Sequence, residues 1–363
     1  MRILHLLNDI RELGNGIINV AIDLACLQAQ AGHEVAIASA GGEYEALLST
    51  YGVKHFFLDQ RRHPFNLFKA VYRWRQIVPE FQPDIVHAHM MTGMVLAWSL
   101  KRQFSYVVVS TVHNEFQRNA ILMGLADRVI AVSRAVAESM QQRGIPVHKL
   151  RVVCNGTLNS PRQRRIVAAK PLQRPAIVTI AGMYHRKGIA DLIAAFTQIA
   201  RECPTAHLYL VGDGPDRDQF KQQAQQTLVG DRIHFEGFQP DPHCYLQSTD
   251  IFVLASHREP FGLVLSEARE AGCAIVASYV DGIPEALNHG HAGILIPPAN
   301  VDALSQTITE LLKQPQLLKT WQERSQQNLA WLRVDRVLQE TLLVYQELVG
   351  SGEEIQQPSE ALL

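Results

Sequence analysis

Apolar and polar residues alternate along the first half of the chain in a rhythm of short strands and longer helices. An apolar run over residues 2–7 is followed by a glycine-rich turn and a helical pattern that extends from Ile17 to Gln30 and stops at Gly32. Further apolar runs predict strands near 33–38, 53–58, 85–88, 106–110, 128–132 and 152–154, and a helix near 64–78. Strands that alternate with helices predict a parallel, doubly wound sheet.

A second series of the same kind begins after residue 175. Residues 157–175 interrupt the pattern with prolines and a basic cluster, which predicts an exposed linker. Strands are then predicted at 176–181, 207–211, 233–236, 251–254, 274–277 and 293–296, with helices that include 189–200 and 301–312. The pattern ends in a helix near 334–349 and an acidic tail that we expect to be disordered.

These two series predict an α/β protein with two doubly wound, Rossmann-like domains that face each other across a cleft. The predicted boundaries are 1–160 for the first domain, 161–175 for the linker and 176–333 for the second domain, followed by a helix at 334–350 that packs back toward the first domain and a tail at 351–363. Ligands of such sheets bind at the carboxyl ends of the strands, so the cleft is the expected site.

Two carboxylates near the predicted cleft have an informative spacing. Glu259 precedes a Pro-Phe-Gly turn, and Glu267 lies inside the helix that begins near Gly262 and ends at Gly272. The N-terminus of a helix binds anions through its free amides and its dipole. Two hydroxyl-binding carboxylates on either side of an anion site suit a diphosphate with a sugar at each end, which describes a sugar nucleotide.

An ordered series of motifs over roughly residues 2–350 resembles one family. It is similar to the retaining nucleotide-sugar glycosyltransferases of the GT-B fold, glycosyltransferase family 4. The motifs are Gly14-Asn-Gly16, Pro83-Asp-Ile-Val-His-Ala-His89, Thr111-Val-His113, Val129-Ile-Ala-Val-Ser133, Asn155-Gly156, Arg186-Lys-Gly188, Val211-Gly-Asp-Gly-Pro215, Asp250-Ile-Phe-Val-Leu-Ala-Ser256, Glu259-x7-Glu267 and Asp281-Gly-Ile-Pro-Glu285.

The resemblance implies a role for each matching residue. It implies that Glu267 accepts hydrogen bonds from the ribose, that Glu259 and His113 lie at the donor sugar, and that Arg186 and Lys187 bind the donor diphosphate. Cations suit that position because negative charge accumulates on the leaving diphosphate. The remaining donor-binding residues expected are Gly14, Gly16, Gly237, Phe238, Phe261, Gly262 and Gly282.

Several positions depart from the family pattern or allow a second interpretation. Asn15 separates two glycines that the family usually has side by side, and Met183 stands where many members carry arginine, so Arg186 is the candidate to replace that arginine. The segment Asp281–Glu285 could bind the donor through free amides or could be an ordinary start of a helix. Neither glycine-rich turn completes a dinucleotide-binding fingerprint, which disfavours an NAD-dependent dehydrogenase.

The histidines raise the question of a metal. His87 and His89 point the same way on a predicted strand, but no third ligand is evident from the sequence, and we expect no metal and no cofactor. The resemblance implies transfer of a sugar from a nucleotide-sugar, most commonly a UDP-sugar, to a hydroxyl acceptor with retention at the anomeric carbon. The acceptor could be a glycan or a lipid-linked sugar. The alternatives are a sugar-nucleotide epimerase or hydrolase and a non-catalytic subunit that binds sugar nucleotides.

Composition and charge narrow the class of protein further. The 363 residues are 47% hydrophobic and 19% charged, which is typical of a globular protein, and the five scattered cysteines favour reduced thiols in the cytoplasm. The N-terminus reads as a strand rather than a signal peptide, and the uncharged run at 90–100 is too short to span a bilayer. Residues 1–170 carry a formal charge of +8 and the rest −9, either because the domains have different partners or because the two surfaces differ without consequence.

One basic and aromatic segment bears on the acceptor. Residues 61–75 place Phe65, Phe68 and Tyr72 at helical spacing among arginines. The segment could contact anionic lipid head groups on the inner face of a membrane, or it could be an amphipathic helix whose aromatic stripe lies in the core. A net charge of −1 and the absence of a recognition motif in the sequence argue against nucleic acid as a partner.

Overall fold

A computed structural model describes residues 1–61, 63–162 and 168–350, without the side chains of residues 64 and 65. The predicted disordered tail at 351–363 and residues 163–167 of the predicted linker lie outside the described residues. The described chain forms two parallel sheets with helices on their faces, which confirms the prediction of two Rossmann-like domains.

The first sheet has seven strands in the order β3-β2-β1-β4-β5-β6-β7. Its strands are β1 (Arg2–Leu6), β2 (Glu34–Ser39), β3 (Lys54–Phe57), β4 (Ile85–Ala88), β5 (Val107–Val112), β6 (Arg128–Ala131) and β7 (Leu150–Val152). Its helices are α1 (Gly16–Gln30), α2 (Glu45–Thr50), α3 (Pro64–Phe81), α4 (Met91–Leu100) and α5 (Arg134–Gln142). The strand order reverses between β1 and β4, which is where open sheets of this type bind ligands.

The second sheet has six strands in the order β10-β9-β8-β11-β12-β13. Its strands are β8 (Ala176–Ile180), β9 (His207–Val211), β10 (Ile233–Gly237), β11 (Ile251–Leu254), β12 (Ala274–Ser278) and β13 (Ile294–Ile296). Its helices are α6 (Ile189–Glu202), α7 (Arg217–Gln225), α8 (His243–Leu246), α9 (Leu263–Glu270), α10 (Ile283–Ala286), α11 (Val301–Lys313) and α12 (Pro315–Ser325).

The last helix, α13 (Val334–Val349), packs on the first domain although it follows the second in the chain. Val337, Val344 and Tyr345 are buried in one cluster with apolar residues of the first sheet such as Ile3. Because α13 closes one face of the first sheet, the chain crosses between the domains twice.

The structure corrects two parts of the sequence-based assignment. The last strand of the first sheet lies at Leu150–Val152 and not at 152–154, and the short helices α2, α4 and α12 were not predicted. The predicted exposed linker is tied to the folded domains, because Lys170 bonds to Glu236 and Arg174 pairs with Asp250. The proline-rich composition of this segment therefore gave no indication of these anchoring contacts.

Candidate functional site

The two domains enclose a cleft of about 1260 Å³. The turn before α1, the end of β5, the loop after β8 and the N-terminus of α9 all contribute to its lining. These segments follow the carboxyl ends of strands on both sheets, which is where ligands of doubly wound sheets bind. The cleft brings together the site residues predicted from the sequence, with the exceptions of Gly237 and Gly282, which do not line it.

Glu259 and Lys187 form an ion pair at the base of the cleft. Both side chains are largely buried, the Lys187 ammonium bonds to Glu259 Oε2, and Ser256 Oγ lies 3.4 Å from the same oxygen. The Glu259 amide donates to Asp281 Oδ2 at 2.8 Å, and the Glu259 carbonyl accepts from the Gly282 amide at 3.1 Å. Contacts on both sides thus fix the position of this carboxylate.

Arg186 presents the other cation of this loop. Its guanidinium lies 5.7 Å from the centre of the Phe116 ring and 5.5 Å from that of Tyr184. No carboxylate of the described residues lies within ion-pair distance of it. Met183, where the family often has arginine, is fully buried in the second core. Arg186 therefore keeps its charge available to an anion in the cleft.

Helix α9 begins at the cleft and carries Glu267 into it. Gly262, which has φ 81°, precedes the helix and has no side chain to cap it. The amides of Leu263 and Val264, which line the cleft, lie in the first turn and therefore have no acceptor within the helix. Phe261 is buried in the second domain, where its ring anchors the turn. This free helix end beside Arg186 and Lys187 can bind a phosphate group.

Burial raises the pKa of Glu267 to about 7, although the nearby Arg162 acts in the opposite direction. A carboxyl group with this pKa is present in both protonation states near neutral pH. It can therefore accept or donate a hydrogen bond to a vicinal diol such as that of a ribose.

Arg162 is a cleft residue that the sequence reasoning assigned to an exposed linker, which is wrong. Its guanidinium makes a bidentate ion pair with Asp23 on α1, with Nε and Nη2 each 2.8 Å from a carboxylate oxygen. Ser160 Oγ donates to the same carboxylate at 2.6 Å. Arg162 and Asp23 are 139 positions apart, so no local sequence signal connects them.

The glycine turns bring the two domains close together. A Cβ on Gly14 would lie 3.1 Å from the Phe238 ring, and a Cβ on Gly16 would lie 2.9 Å from Leu263. Asn15, which departs from the family pattern, caps α1 by accepting a bond from the Ile17 amide at 3.0 Å. The two glycines therefore keep the mouth of the cleft narrow.

Two predicted donor-binding glycines have structural contacts instead. Gly237 ends β10 with φ 71°, and its carbonyl accepts a bond from the Gly212 amide. A Cβ on Gly282 would lie 2.1 Å from the Pro260 carbonyl oxygen and 2.9 Å from Ser133 of the first domain. The structure thus places Gly282 at a contact between the domains.

Glu285, at the end of the segment for which the sequence allows donor binding or an ordinary helix start, completes that contact. Its carboxylate accepts bonds from the Arg134 amide at 2.8 Å and the Ala135 amide at 3.3 Å, at the N-terminus of α5. A carboxylate is favourable there because of the helix dipole. Helix α10, which carries Glu285, therefore joins the two domains.

A chain of buried histidines lies behind the first-domain wall of the cleft. His113 lines the cleft, and its Nε2 is 3.1 Å from His89 Nδ1. His89 Nε2 is 2.9 Å from His5 Nδ1, and His5 Nε2 is 2.7 Å from Gln28 Oε1. The Gln28 amide group donates to the Tyr345 hydroxyl of α13 at 3.3 Å.

This chain of bonds determines which nitrogen of each ring carries a proton. Since Gln28 Oε1 can only accept, His5 donates from Nε2, His89 donates to His5 from Nε2, and His113 donates to His89 from Nε2. Nδ1 of His113 then keeps its lone pair. The histidine that lines the cleft is therefore held as a hydrogen-bond acceptor by residues that reach back to α13.

All four histidines of this region are neutral at physiological pH. Burial lowers the pKa of His113 to about 3 and that of His5 to about 4, and it lowers the pKa of His87 and His89 well below the usual value. The neighbouring rings lower the pKa of His87 and His89 further, since two adjacent cations would repel each other.

The third histidine that the sequence did not reveal is His5, which lies beside His87 and His89. The candidate ligand atoms of the three rings lie within 4.8 Å of one another. However, both nitrogens of His87 have hydrogen-bond partners, Tyr345 OH at 2.6 Å and Thr111 Oγ1 at 2.7 Å. A metal ion would have to displace these bonds, so the arrangement favours a hydrogen-bonded network.

The basic and aromatic helix α3 exposes residues that a core stripe would bury. Phe68 is 75% exposed and Tyr72 is 64% exposed, whereas Trp74 on the same helix is buried. The side chain of Phe65 lies outside the described set. Of the two interpretations drawn from the sequence, the core stripe is therefore wrong for Phe68 and Tyr72. No helix in the described ranges is long and apolar enough to cross a bilayer.

Comparisons with known proteins identify the family of the chain. Residues 14–157 match the family model described as Glycosyltransferase Family 4, and residues 162–328 match that of Glycosyl transferases group 1. The chain is 27% identical over 267 residues to the lipopolysaccharide core biosynthesis glycosyltransferase LpsD of Rhizobium meliloti, which covers 71% of this chain and 73% of that protein. It is 23% identical to the N-acetyl-alpha-D-glucosaminyl L-malate synthase of Bacillus anthracis over 93% of this chain and 94% of that protein.

Solved structures share the fold. Anabaena HepE in complex with UDP and glucose superposes with a TM-score of 0.80 at 21% identity, over 96% of this chain and all of that chain. WaaG, a glycosyltransferase involved in lipopolysaccharide biosynthesis, superposes with a TM-score of 0.73 at 15% identity, over 96% of this chain and all of that chain. At these identities the likeness concerns the GT-B fold alone.

Proposed function

Because this chain belongs to the family 4 type of GT-B glycosyltransferases, we propose that it transfers the sugar of a UDP-sugar to a hydroxyl acceptor with retention at the anomeric carbon and releases UDP. The observation that carries the proposal is the arrangement of Arg186 and Lys187 beside the free N-terminus of α9, with Glu259 and Glu267 on either side. The two cations and the helix N-terminus suit the diphosphate of a sugar nucleotide, and the two carboxylates suit the hydroxyl groups of the sugar and the ribose at its ends.

The proposed roles follow from the contacts. Arg186, Lys187 and the first amides of α9 stabilise the diphosphate as it leaves, and Glu267 binds the ribose. Lys187 is paired with Glu259, so the diphosphate shares this lysine with the carboxylate. His113 accepts a hydrogen bond from a sugar hydroxyl through Nδ1.

Retention is proposed to follow front-face attack rather than a covalent intermediate on the enzyme. Glu259 already bonds to Lys187, which lowers its availability as a nucleophile. The departing diphosphate takes the proton of the acceptor hydroxyl while Arg186 and Lys187 hold it in place. We expect the reaction to need no metal, because these two cations supply the positive charge, and turnover should therefore be unchanged in EDTA.

A donor screen followed by product analysis tests the proposal. Thermal shift with UDP, GDP, ADP and their common sugars identifies the base, since ligand at about 100 times its dissociation constant adds roughly 2.7 kcal/mol of stability. Slow hydrolysis of the stabilising α-linked donor is then followed by proton NMR. Retention predicts the α-anomer of the free sugar as first product, and initial release of the β-anomer would contradict it.

We further propose that α3 brings the enzyme to an anionic membrane surface from the cytoplasmic side. Exposed Phe68 and Tyr72 can insert between head groups while the arginines of the helix contact phosphate. Co-sedimentation with anionic vesicles at low salt should be lost in Phe68→Ser/Tyr72→Ser and kept in the control Leu343→Ser, an exposed site on α13. Equal binding by both variants would contradict the proposal.

A further inference from the structure

A second cavity lies in the first domain, between α3, α4 and the 3-10 segment Arg118–Leu125. Its volume is about 530 Å³, within the range of ligand pockets, and it shares no lining residue with the cleft. The lining is mostly apolar, with Leu67, Val71, Val95 and Leu122 as examples, and none of the described side chains that line it is charged. Binding of a charged sugar or a nucleotide would be unfavourable in this cavity, because its charge would be buried without an ionic partner.

One polar atom in this cavity lacks a partner. Gln60 lines the cavity, is 2% exposed, and its Oε1 has no hydrogen-bond partner. The amide cannot be turned round to satisfy it, because Nε2 already donates to the Leu7 carbonyl at 2.8 Å. Because a buried acceptor without a partner destabilises the protein, a ligand with a hydroxyl or an amide N–H would be favoured at this point.

The polar end of the cavity faces the catalytic side of the sheet. Gln60 bonds to Leu7, directly after β1, and Met91, which also lines the cavity, comes two positions after His89. His89 in turn bonds to His113 in the cleft. Ser99, near the other end of α4, lines the opposite part of the cavity.

The elements that form the cavity also expose apolar side chains. Val95, which lines the cavity, is 36% exposed. Trp98 on α4 is 49% exposed, and Phe68 on α3 and Ile121 on the 3-10 segment are also exposed. Arg102 and Arg118 are exposed on the segments that flank α4 and the cavity. A mostly apolar cavity on elements that carry exposed apolar side chains and cations suits an amphiphile better than a free sugar.

We propose that this cavity binds the alkyl chain of an amphiphilic acceptor, with Gln60 Oε1 accepting a hydrogen bond from a hydroxyl or amide at the polar end of that chain. The proposal names the class of acceptor and rests on the proposed function for its place in catalysis. It places the polar end of the acceptor toward the carboxyl edge of the sheet, where His113 lies.

Titration of the full chain with 1-octanol tests the proposal, with the ¹³C-labelled methyl group of Met91 as the NMR reporter. Saturable binding of 1-octanol is expected, and its isomer methyl heptyl ether, which has no hydroxyl donor, should bind about threefold to tenfold more weakly. Equal affinity for the two isomers would overturn the role of Gln60. Tighter binding of the rigid alcohol 2-naphthol would overturn the alkyl chain as occupant.

Two substitutions complete the design. Ser99→Phe fills the cavity from its exposed end and should weaken octanol binding by at least about tenfold, because the chain loses its buried surface. Ser49→Phe adds the same ring at an exposed position of α2 outside the cavity and should leave affinity within about twofold. No saturable shift in wild type, or equal effects of the two variants, would overturn the proposal.

Thermal shift with UDP on the same samples separates this proposal from the proposed function. Octanol binding without stabilisation by any nucleotide would support the cavity and contradict the transferase assignment. Stabilisation by UDP without octanol binding would leave the donor site standing and overturn the amphiphilic acceptor.

Discussion

The two walls of the cleft differ in their polar groups, which are mainly ionic on one wall and mainly neutral on the other. The second-domain wall carries ionic groups, namely Arg186, the Lys187–Glu259 pair and Glu267. The first-domain wall presents His113, which is backed by neutral rings that bond to one another, and the Arg162 side chain on this side is neutralised by its ion pair with Asp23. Charge is thus concentrated where the donor diphosphate is proposed to bind, and the opposite wall orients hydroxyl groups through neutral hydrogen bonds.

Because of this difference, the contributions of the two walls to the stability of the protein depend on pH in opposite directions. Between about pH 4.5 and 7 the folded protein holds a proton on Glu267 that the unfolded chain has released, so this wall loses stability as pH rises through that range. The buried histidines stay neutral below their usual pKa of 6.5, so the other wall loses stability as pH falls below 6.5. Each wall can therefore be tested separately.

Removal of the unpaired cation should give the largest effect. Arg186→Ala is expected to lower turnover by about 10²–10³-fold, since one preorganised contact to a developing anion is worth roughly 2.7–4 kcal/mol. The melting temperature should change little, because the guanidinium makes no ion pair with the described residues. Steady-state kinetics on Arg186→Ala and on the exposed control Arg201→Ala measure the difference. A fall in melting temperature with unchanged turnover would make Arg186 a structural residue.

The neutral wall should make the protein sensitive to acid. Each histidine that the folded state keeps neutral lowers the free energy of unfolding by about 1.4 kcal/mol per pH unit below 6.5. His89→Gln should therefore reduce the slope of unfolding free energy against pH by about one proton between pH 6 and 4.5, measured by urea denaturation. Thr111→Val keeps all four rings and is the matched control. An unchanged slope in His89→Gln would mean that the ring is charged in the folded state.

On the opposite wall, Glu267→Gln should stabilise the empty protein at neutral pH. Because burial raises the pKa of this carboxyl to about 7, the wild type becomes less stable as pH rises from 4.5 to 7 and the variant does not. The difference in melting temperature should grow between pH 5 and 7.5 in favour of the variant. A difference that is constant with pH would show an ordinary carboxylate. Glu138→Gln, at an exposed site of α5, controls for the loss of one charge.

The smallest effect is expected from the far end of the histidine chain. Tyr345→Phe removes the hydroxyl that joins Gln28 to His87 and should lower turnover a few-fold while leaving UDP affinity unchanged. Kinetics and calorimetry on Tyr345→Phe and the exposed control Tyr279→Phe separate the two quantities. A loss of UDP affinity equal to the loss of turnover would contradict a role confined to the neutral wall.

The sequence was sufficient for the features whose signal is local. Periodicity located β4 and β11 at their observed bounds, and the spacing of Glu259 and Glu267 placed one carboxylate before α9 and the other within it. Both signals depend on residues a few positions apart. The helix α2 was missed because its six residues form fewer than two turns over which a period can be recognised.

The rest of the site depends on contacts between distant residues. Arg162 meets Asp23 across 139 positions, and His5 meets His89 across 84. Phe116 meets Arg186 only when the two domains come together. A histidine or arginine in isolation is indistinguishable from a surface residue, so these pairs emerge only from the fold. The approach of Gly282 to Ser133 depends on the fold in the same way, because Ser133 belongs to the other domain.

Calorimetric titration of UDP into wild type and Glu267→Ala tests the central claim most directly, that the ionic wall of the cleft binds the nucleotide of the donor. Saturable binding to wild type, weakened by at least about tenfold in a folded Glu267→Ala, is the expected result, because the ribose loses a charge-assisted hydrogen bond. Equal UDP affinity in the two proteins, or no saturable binding of UDP to wild type, would contradict the account.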